Sequence, residues 1–267
     1  MPDVQWLLAY FALGACTGLL AGLFGIGGGG VMVPVLTLLF TAQDFNPEHR
    51  VHLALATSMA AIVPTAMASL RAHHNHQAVL WPVVWRMTPG TLLGTFAATF
   101  IASHLSAKFL ALFFSGFMGF VALQLFLDRK PRPSRQLPGT AGLSVVGGGI
   151  GGVSALVAIG GGSLTVPFLA WCNVRLPVAI GTSAAIGLPI ALAGASGYAL
   201  NGWGVAGTPD FTWGFIYWPA VICMTAMSLV TAPLGAKLAH RLPVKVLKQL
   251  FGILTLLLAL QMLRAVF

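Results

Sequence analysis

The sequence predicts an all-α integral membrane protein of about ten transmembrane segments, arranged as two inverted repeats of five segments each. Three observations support this prediction: the apolar composition, an internal repeat and the distribution of basic residues. Of 267 residues, 57% are apolar and only 7% are charged, whereas soluble domains carry about 25% charged residues. The apolar residues form runs of roughly 20, the length that spans the hydrocarbon core of a lipid bilayer. We therefore expect the bilayer to surround most of the chain.

An internal repeat divides the chain into two halves. The segment GLLAGLFGIGGGGVMVPVL at 18–36 returns as GGVSALVAIGGGSLTVPFL at 151–169. Further matches follow in the same order along both halves: Thr57-Ser58 with Thr182-Ser183, Pro64 with Pro189, Trp81-Pro82 with Trp218-Pro219, and Lys108 with Lys245. We therefore divide the chain into a first transmembrane repeat (1–127), a basic cytoplasmic linker (128–138) and a second transmembrane repeat (139–267).

Each half is predicted to contain five hydrophobic segments. They lie near 4–24, 30–42, 51–71, 79–102 and 105–127 in the first half, and near 139–159, 163–174, 178–200, 212–236 and 244–266 in the second. The second segment of each half is short or broken, because about 12 helical residues reach only about 18 Å and the hydrocarbon core is roughly 30 Å thick. Each short segment could cross the bilayer or re-enter on the side from which it came.

The basic residues favour ten crossings over eight. If all ten segments cross and the linker is cytoplasmic, the inner side holds Arg71, Arg129, Lys130, Arg132, Arg135, Arg175, Lys237, Arg241, Lys245 and Lys248. Only Arg50, Lys108 and Arg264 then lie outside, in agreement with the excess of basic residues in cytoplasmic loops. Five crossings per half place the halves in opposite orientations, which is a transporter architecture, and put both termini in the periplasm. Basic residues confined to connections also argue against nucleic-acid binding, despite a formal net charge of +9.

Two glycine runs are the first candidate binding site. They comprise Gly27, Gly28, Gly29 and Gly30 in the first half, and Gly160, Gly161 and Gly162 with Ser163 in the second. Consecutive glycines interrupt a helix, because glycine loses the most backbone entropy on ordering. A helix is predicted to restart after each run, and its free N–H groups and positive dipole end can bind an anion. Inverted halves would bring the two helix starts towards the membrane centre from opposite sides. The alternative role of the glycines is close helix packing.

Two hydroxyl pairs and one arginine are further candidates. Thr57-Ser58 and Thr182-Ser183 each lie about six residues, or roughly 9 Å, into their segments, where hydroxyls can donate to an oxyanion. They can instead bond back to their own helix or bridge to a neighbouring helix. Arg86 lies about seven residues into the fourth segment, and an ionisable residue within a membrane is a functional candidate. Its side chain can also extend to the cytoplasmic face.

The acidic residues exclude several classes of function. Asp3, Asp44, Glu48, Asp128 and Asp210 all fall in termini or connections, so no acidic proton relay or carboxylate-assisted sodium site is predicted in the membrane. The sequence has no acid/base pair, no nucleophile beside a base and no clustered metal ligands. It therefore predicts no catalytic residue, no metal site and no cofactor. Membrane potential could drive transport instead, since moving one charge across 100 mV releases about 2.3 kcal/mol, and an inside-negative cell expels anions.

The glycine-rich segments GLFGIGGGGVMVPVL and ALVAIGGGSLTVPFL resemble those of the TauE/SafE sulfite exporter family, also called TSUP. The Thr57-Ser58 and Thr182-Ser183 pairs and the Trp-Pro start of each fourth segment resemble the family too, and the likeness covers nearly the whole chain. The resemblance implies a multi-pass carrier in the bacterial inner (cytoplasmic) membrane for sulfite, thiosulfate or related organosulfonates. Its partner would be a small anionic substrate. The sequence does not distinguish a monomer from a homodimer.

We therefore expect a transporter of small sulfur-containing anions that works by alternating access, with export as the favoured direction. The alternative from another class is a non-transporting membrane scaffold or receptor subunit, in which the repeat builds a rigid frame. The second half has Ser163 where the first has Gly30, so we expect the two half-sites to be unequal.

Overall fold

The structure is a computed structural model that describes residues 3–24, 29–127, 135–239 and 244–264. These residues form ten α-helices and one short β-hairpin. The first half contains α1 (Val4–Phe24), α2 (Gly29–Ala42), α3 (Arg50–Asn75), α4 (Trp81–Ser103) and α5 (Ala107–Leu127). The second contains α6 (Thr140–Val157), α7 (Gly162–Trp171), α8 (Leu176–Asn201), β1 (Thr212–Trp213), β2 (Ile216–Tyr217), α9 (Trp218–Ala239) and α10 (Val244–Arg264).

The predicted segments agree with the helices to within about one turn, except at one place in the second half. The fourth segment, predicted at 212–236, begins only at Trp218, because β1 and β2 pair antiparallel just before it. Gly214 turns this hairpin with a φ of 58°, and a Cβ there would collide with the carbonyl oxygen of Ala199. Glycine at this position therefore permits both the turn and the close approach to α8.

Among the described residues, six helices are long and apolar enough to span a membrane. They are found within Val4–Ala21, Arg50–Asn75, Ala107–Leu127, Thr140–Val157, Leu176–Asn201 and Trp218–Gly235, and shorter apolar helices lie at Gly29–Ala42, Gly162–Trp171 and Gln249–Arg264. Many large apolar side chains on these helices are exposed, including Leu123, Val145 and Val230. Exposed apolar surface of this extent is what a helix bundle presents to lipid. The all-helical membrane fold predicted from composition is confirmed in this form.

The helix ends define two faces of the molecule. At one face α1 begins and α2 ends, and the Nε2 of Gln43, just after α2, donates to the hydroxyl of Tyr10 in α1 at 2.6 Å. At the opposite face α7 ends beside the residues that precede α6, and the Arg135 N–H donates to the Trp171 carbonyl at 3.3 Å. We call these the N-terminal face and the linker face. Each short helix thus returns to the face at which the preceding helix began.

Charge is divided unequally between the two faces. The four described carboxylates, Asp3, Asp44, Glu48 and Asp210, belong to the termini and loops of the N-terminal face. Three described basic residues lie at or near the ends of helices at the linker face: Arg71, Arg135 and Arg175. The backbone of Lys237, Lys245 and Lys248 also belongs to helix ends at that face. The predicted linker, 128–138, lies mostly outside the described residues.

The first helix of each half packs against the fourth helix of the other half. Gly14 of α1 lies against Met224 of α9, and Gly90 of α4 lies against Ser144 of α6. The small side chains permit these close approaches, in which a Cβ would meet backbone atoms of the neighbouring helix. The two halves therefore exchange helices rather than folding as separate bundles.

Equivalent helices of the two halves run antiparallel where they meet. In the α3–α8 pair, Met59 of α3 lies against Gly194 of α8, and Ala78, just beyond α3, lies against Gly181. In the α5–α10 pair, the Ser115 hydroxyl donates to the Ala259 carbonyl at 3.0 Å, and Phe126 lies against Gly252. Higher numbers on one helix therefore meet lower numbers on its counterpart.

Candidate functional site

The helical conformation is interrupted between α6, which ends at Val157, and α7, which begins at Gly162. We call the intervening residues 158–161 the break. Ala158 (φ 48°) and Gly161 (φ 75°) adopt left-handed conformations, which are rare for alanine and readily adopted by glycine. Gly161 is the N-cap of α7, and its carbonyl accepts from the N–H groups of Leu164 and Thr165. The first N–H groups of α7 have no partner within their own helix, so the break presents donors at the positive end of a helix dipole.

The start of α2 meets this break. Gly29 lies against the carbonyl oxygen of Ala158 and the side chain of Ile62. Gly160 lies near the same side chain, since a Cβ added to Gly160 would be 3.6 Å from the Cγ2 of Ile62. Gly187 of α8 approaches the Gly160 carbonyl, where an added Cβ would lie 2.7 Å away. The two glycine runs, which are 133 residues apart in their repeat alignment, are thus brought to one place. Gly27 and Gly28 lie outside the described residues.

Four buried hydroxyls near this break have no hydrogen-bond partner. They belong to Ser58, Ser154, Ser163 and Thr165, and they are half of the eight side-chain atoms of this kind in the described part of the chain. Ser58 lies one turn before Ile62, and Ser154 lies one turn before Ala158. Elsewhere, helical hydroxyls such as those of Thr17, Thr37 and Thr88 bond back to the carbonyl four residues earlier. The hydroxyls at the break therefore remain available to a bound ligand.

The two predicted threonines bridge the halves. The Thr57 hydroxyl oxygen accepts from the N–H of Tyr217 at 3.1 Å, immediately before the Trp-Pro start of α9. The Thr182 hydroxyl oxygen accepts from the N–H of Leu80 at 2.9 Å, immediately before the Trp-Pro start of α4. Each threonine thus binds the backbone of the residue that precedes the fourth helix of the opposite half. Of the two roles considered from the sequence, the structure shows the bridge to a neighbouring helix for both hydroxyls.

The remaining predicted site residues have different surroundings. Gly30 is buried against Met118 and Ile159, whereas Gly162 and Ser163 are partly exposed. Ser183 is buried in α8, one turn before Gly187. Arg86 is exposed on α4 beside Trp85, which is 67% exposed. The structure therefore does not bring Arg86 to the break, and its position fits a side chain that extends along the outer surface of the bundle.

Several residues at the break were not predicted from the sequence. Ser154 and Thr165 align in the repeat with Ala21 and Met32, so the repeat gave no signal for them. Ile62 and Met118 are ordinary apolar residues whose place beside the glycines depends on the tertiary structure. A search for hydroxyls within one turn of each glycine run would have found Thr165.

Known proteins of similar sequence are membrane transporters. The family profile described as "Sulfite exporter TauE/SafE" matches residues 10–262. A "Probable membrane transporter protein" of Haemophilus influenzae is 35% identical over 258 residues, covering 96% of this chain and 98% of that protein. A second protein of the same name from that organism is 29% identical over 58% of each chain. The "Probable membrane transporter protein YunE" of Bacillus subtilis is 39% identical over 79 residues, covering 30% of this chain and 26% of its own. No solved structure matches the chain.

Proposed function

The chain belongs to the TauE/SafE sulfite exporter family, whose relatives named above are membrane transporters rather than enzymes, and on this premise we propose that it exports small sulfur-containing anions. The substrates proposed are sulfite, thiosulfate and organosulfonates. The unpartnered hydroxyls of Ser58, Ser154, Ser163 and Thr165 around the break are the observation that carries this proposal. Hydroxyl and N–H donors in a site without carboxylates suit an oxyanion.

The binding site proposed here is the break itself. Its donors are the first N–H groups of α7 and the hydroxyls of Ser163 and Thr165, and Ser58 contributes from α3. The glycine run at Gly160–Gly162 lets the backbone approach the anion closely. Gly29 and Gly30 supply the corresponding start of α2. Arg86 is left out because its side chain is exposed.

The proposed mechanism is alternating access by two inverted repeats. The antiparallel α3–α8 and α5–α10 pairs support it, because inversion requires equivalent helices to run in opposite directions. The charge distribution supports a cytoplasmic linker face in a bacterial inner membrane, with both termini periplasmic, since basic residues are more numerous at the helix ends of the linker face than at those of the N-terminal face. An inside-negative potential would then drive the anion outwards, at about 2.3 kcal/mol per charge for 100 mV.

Flux through the purified protein tests this proposal. Proteoliposomes loaded with radiolabelled thiosulfate should release it faster when a potassium gradient with valinomycin sets an inside-negative potential of about 100 mV. Reversing the potential should slow the release. Liposomes without protein and proteoliposomes with Gly161→Leu serve as controls. Absence of flux for both thiosulfate and sulfite, from protein that is folded and inserted, would leave the scaffold alternative.

A further inference from the structure

A polar pocket opens at the N-terminal face, away from the break. It has a volume of about 590 Å³ and is lined by the start of α3, the α4–α5 connection and Thr37 of α2. Its ionisable lining residues are Glu48, His49, Arg50, His52, His104 and Lys108. Two cations and three histidines therefore surround the pocket, and Glu48 is the single carboxylate of its lining.

Two helices begin at the edge of this pocket. Helix α3 starts at Arg50, and its N-cap, His49, forms no side-chain capping bond. Helix α5 starts at Ala107, where the Ser106 hydroxyl caps only the N–H of Phe109, at 3.2 Å. Both helices therefore direct the positive ends of their dipoles towards the pocket. Two such ends together with Arg50 and Lys108 favour an anionic occupant.

His52 gives the pocket a buried group with an unused nitrogen. The side chain is 3% exposed, and its Nε2 lies 3.0 Å from the carbonyl oxygen of Ala102. Because a carbonyl only accepts, Nε2 carries a proton, and in the neutral ring Nδ1 is a bare acceptor. Nδ1 completes no hydrogen bond of its own, and the backbone carbonyls of Glu48 and Leu105 also lie near the ring. Phe215 stacks on the ring at 5.3 Å between centroids and holds its orientation. Protonation would convert Nδ1 into a donor.

The two basic residues of this pocket have basic equivalents in the second repeat, whereas its three histidines have no histidine equivalents there. Arg50 and Lys108 align with Arg175 and Lys245 of the second half. His49, His52 and His104 align instead with Val174, Pro177 and Arg241. A basic approach is thus common to both faces, whereas the positions at the linker face that are equivalent to His49, His52 and His104 carry no histidine.

We propose that this pocket is a second anion site, in which protonated His52, with Arg50, Lys108 and the starts of α3 and α5, binds a small oxyanion. The occupant is an anion of the size and charge of sulfate or thiosulfate. Binding tightens as the pH falls, because only the imidazolium form of His52 donates from both nitrogens. His49, His104 and Glu48 line the same pocket beside His52. This site does not depend on transport, since an anion can occupy it in a protein that carries no flux.

Thiosulfate titrations of the purified protein in nanodiscs test the proposal. By calorimetry, the affinity of the wild-type pocket should rise about tenfold between pH 7 and pH 5, because only the imidazolium form of His52 donates from both nitrogens. His52→Gln keeps a donor for the Ala102 carbonyl and removes the titrating nitrogen, so it should abolish most of this rise. His104→Gln, at an exposed position of the rim, should retain most of it. Equal pH dependence in wild type and His52→Gln would overturn the assignment.

Two further measurements separate this site from the break and from misfolding. Ser163→Ala should weaken the pH-independent binding at the break and leave the pH-dependent binding unchanged. Lys108→Gln should lower the affinity of the pocket several-fold at both pH values, which gives a test even if His52→Gln does not fold. Unchanged affinity in Lys108→Gln, or loss of the pH-dependent binding in Ser163→Ala, would contradict a separate pocket at the N-terminal face. Loss of flux with retained pH-dependent binding would count against the proposed transport alone.

Discussion

Helices α2 and α7 occupy equivalent positions in the two repeats, yet their first turns have different surroundings. Gly29 and Gly30 at the start of α2 are buried, and Val31 packs in a cluster with Phe251 and Leu258 of α10. The start of α7 is partly exposed at Gly162 and Ser163. Among the described residues, α5 does not cover α7 in the way that α10 covers α2.

The two helix starts also differ in chemistry. The first turn of α7 carries the unpartnered hydroxyls of Ser163 and Thr165, whereas α2 has Gly30 and Met32 at the equivalent positions. One sequence plan therefore produces an apolar, buried helix start in the first half and a polar, partly exposed one in the second. For the proposed transporter, the second half supplies the hydrogen-bond donors, and the closely packed start of α2 in the first half forms the opposite side of the site.

The largest effect is expected at the closely packed start. In Gly29→Ala the new Cβ would meet the Ala158 carbonyl and Ile62, so we expect a loss of about 1–3 kcal/mol of stability, as for overpacked cores, together with loss of flux. The control is Gly160→Ala, whose new Cβ would lie 3.6 Å from Ile62, an ordinary van der Waals distance. Thermal unfolding in detergent compares the two variants. Equal unfolding midpoints would show that the two starts are packed alike.

A smaller effect on binding is expected at the polar start. Ser163→Ala removes an unpartnered hydroxyl, and a hydrogen bond to a charged group contributes about 1.5–3 kcal/mol. We expect the dissociation constant for thiosulfate to rise by about tenfold or more. Ser196→Ala is the control, because that hydroxyl bonds to the Leu192 carbonyl within α8. Isothermal titration gives the affinities, and similar values for both variants would remove Ser163 from the site.

The bridges between the halves should affect stability rather than affinity. Thr57→Val leaves the Tyr217 N–H without its acceptor, and Thr182→Val does the same to the Leu80 N–H. Each loss is expected to cost about 1–3 kcal/mol, whereas serine at either position should restore most of it. Denaturation in detergent measures these differences. If valine and serine variants unfold alike, the bridges contribute nothing to stability.

The smallest effect is expected at Arg86. Its side chain is exposed on α4, so Arg86→Gln should leave the affinity for thiosulfate unchanged in the same titrations. A clear loss of affinity would mean that Arg86 reaches the anion in a conformation different from the one described here.

The sequence was informative wherever a feature is local or repeated. The glycine run at 160–162 predicted the end of α6 and the start of α7. Consecutive glycines alone do not decide this, because Gly147, Gly148 and Gly149 lie within α6. The ten hydrophobic segments could be predicted because a run of apolar residues is a local feature of the sequence. The hairpin before Trp218 was missed, because its residues are as apolar as the helix that follows, and because the turn at Gly214 depends on its contact with Ala199 of α8.

The partners of the candidate residues could not be predicted. Thr57 and Ser58 are neighbours in the sequence, but one accepts from the backbone of Tyr217 and the other has no partner. This difference depends on which side of α3 meets α9. Arg86 likewise counted as a candidate because of its depth along the segment, whereas the direction of its side chain depends on the packing of α4 against α6.

The bridge from Thr57 also bears on how the chain is made. Its partner Tyr217 follows 160 residues later, and α1 must wait even longer for α9, because Gly14 lies against Met224. The first five helices therefore leave the ribosome and enter the bilayer before their partners α6, α8, α9 and α10 are synthesised. Until then α1 and α3 have only lipid, other nascent helices or insertion factors against which to shield these surfaces. We expect the first half expressed alone to be a substrate for membrane quality control, and co-expression of the second half to rescue it.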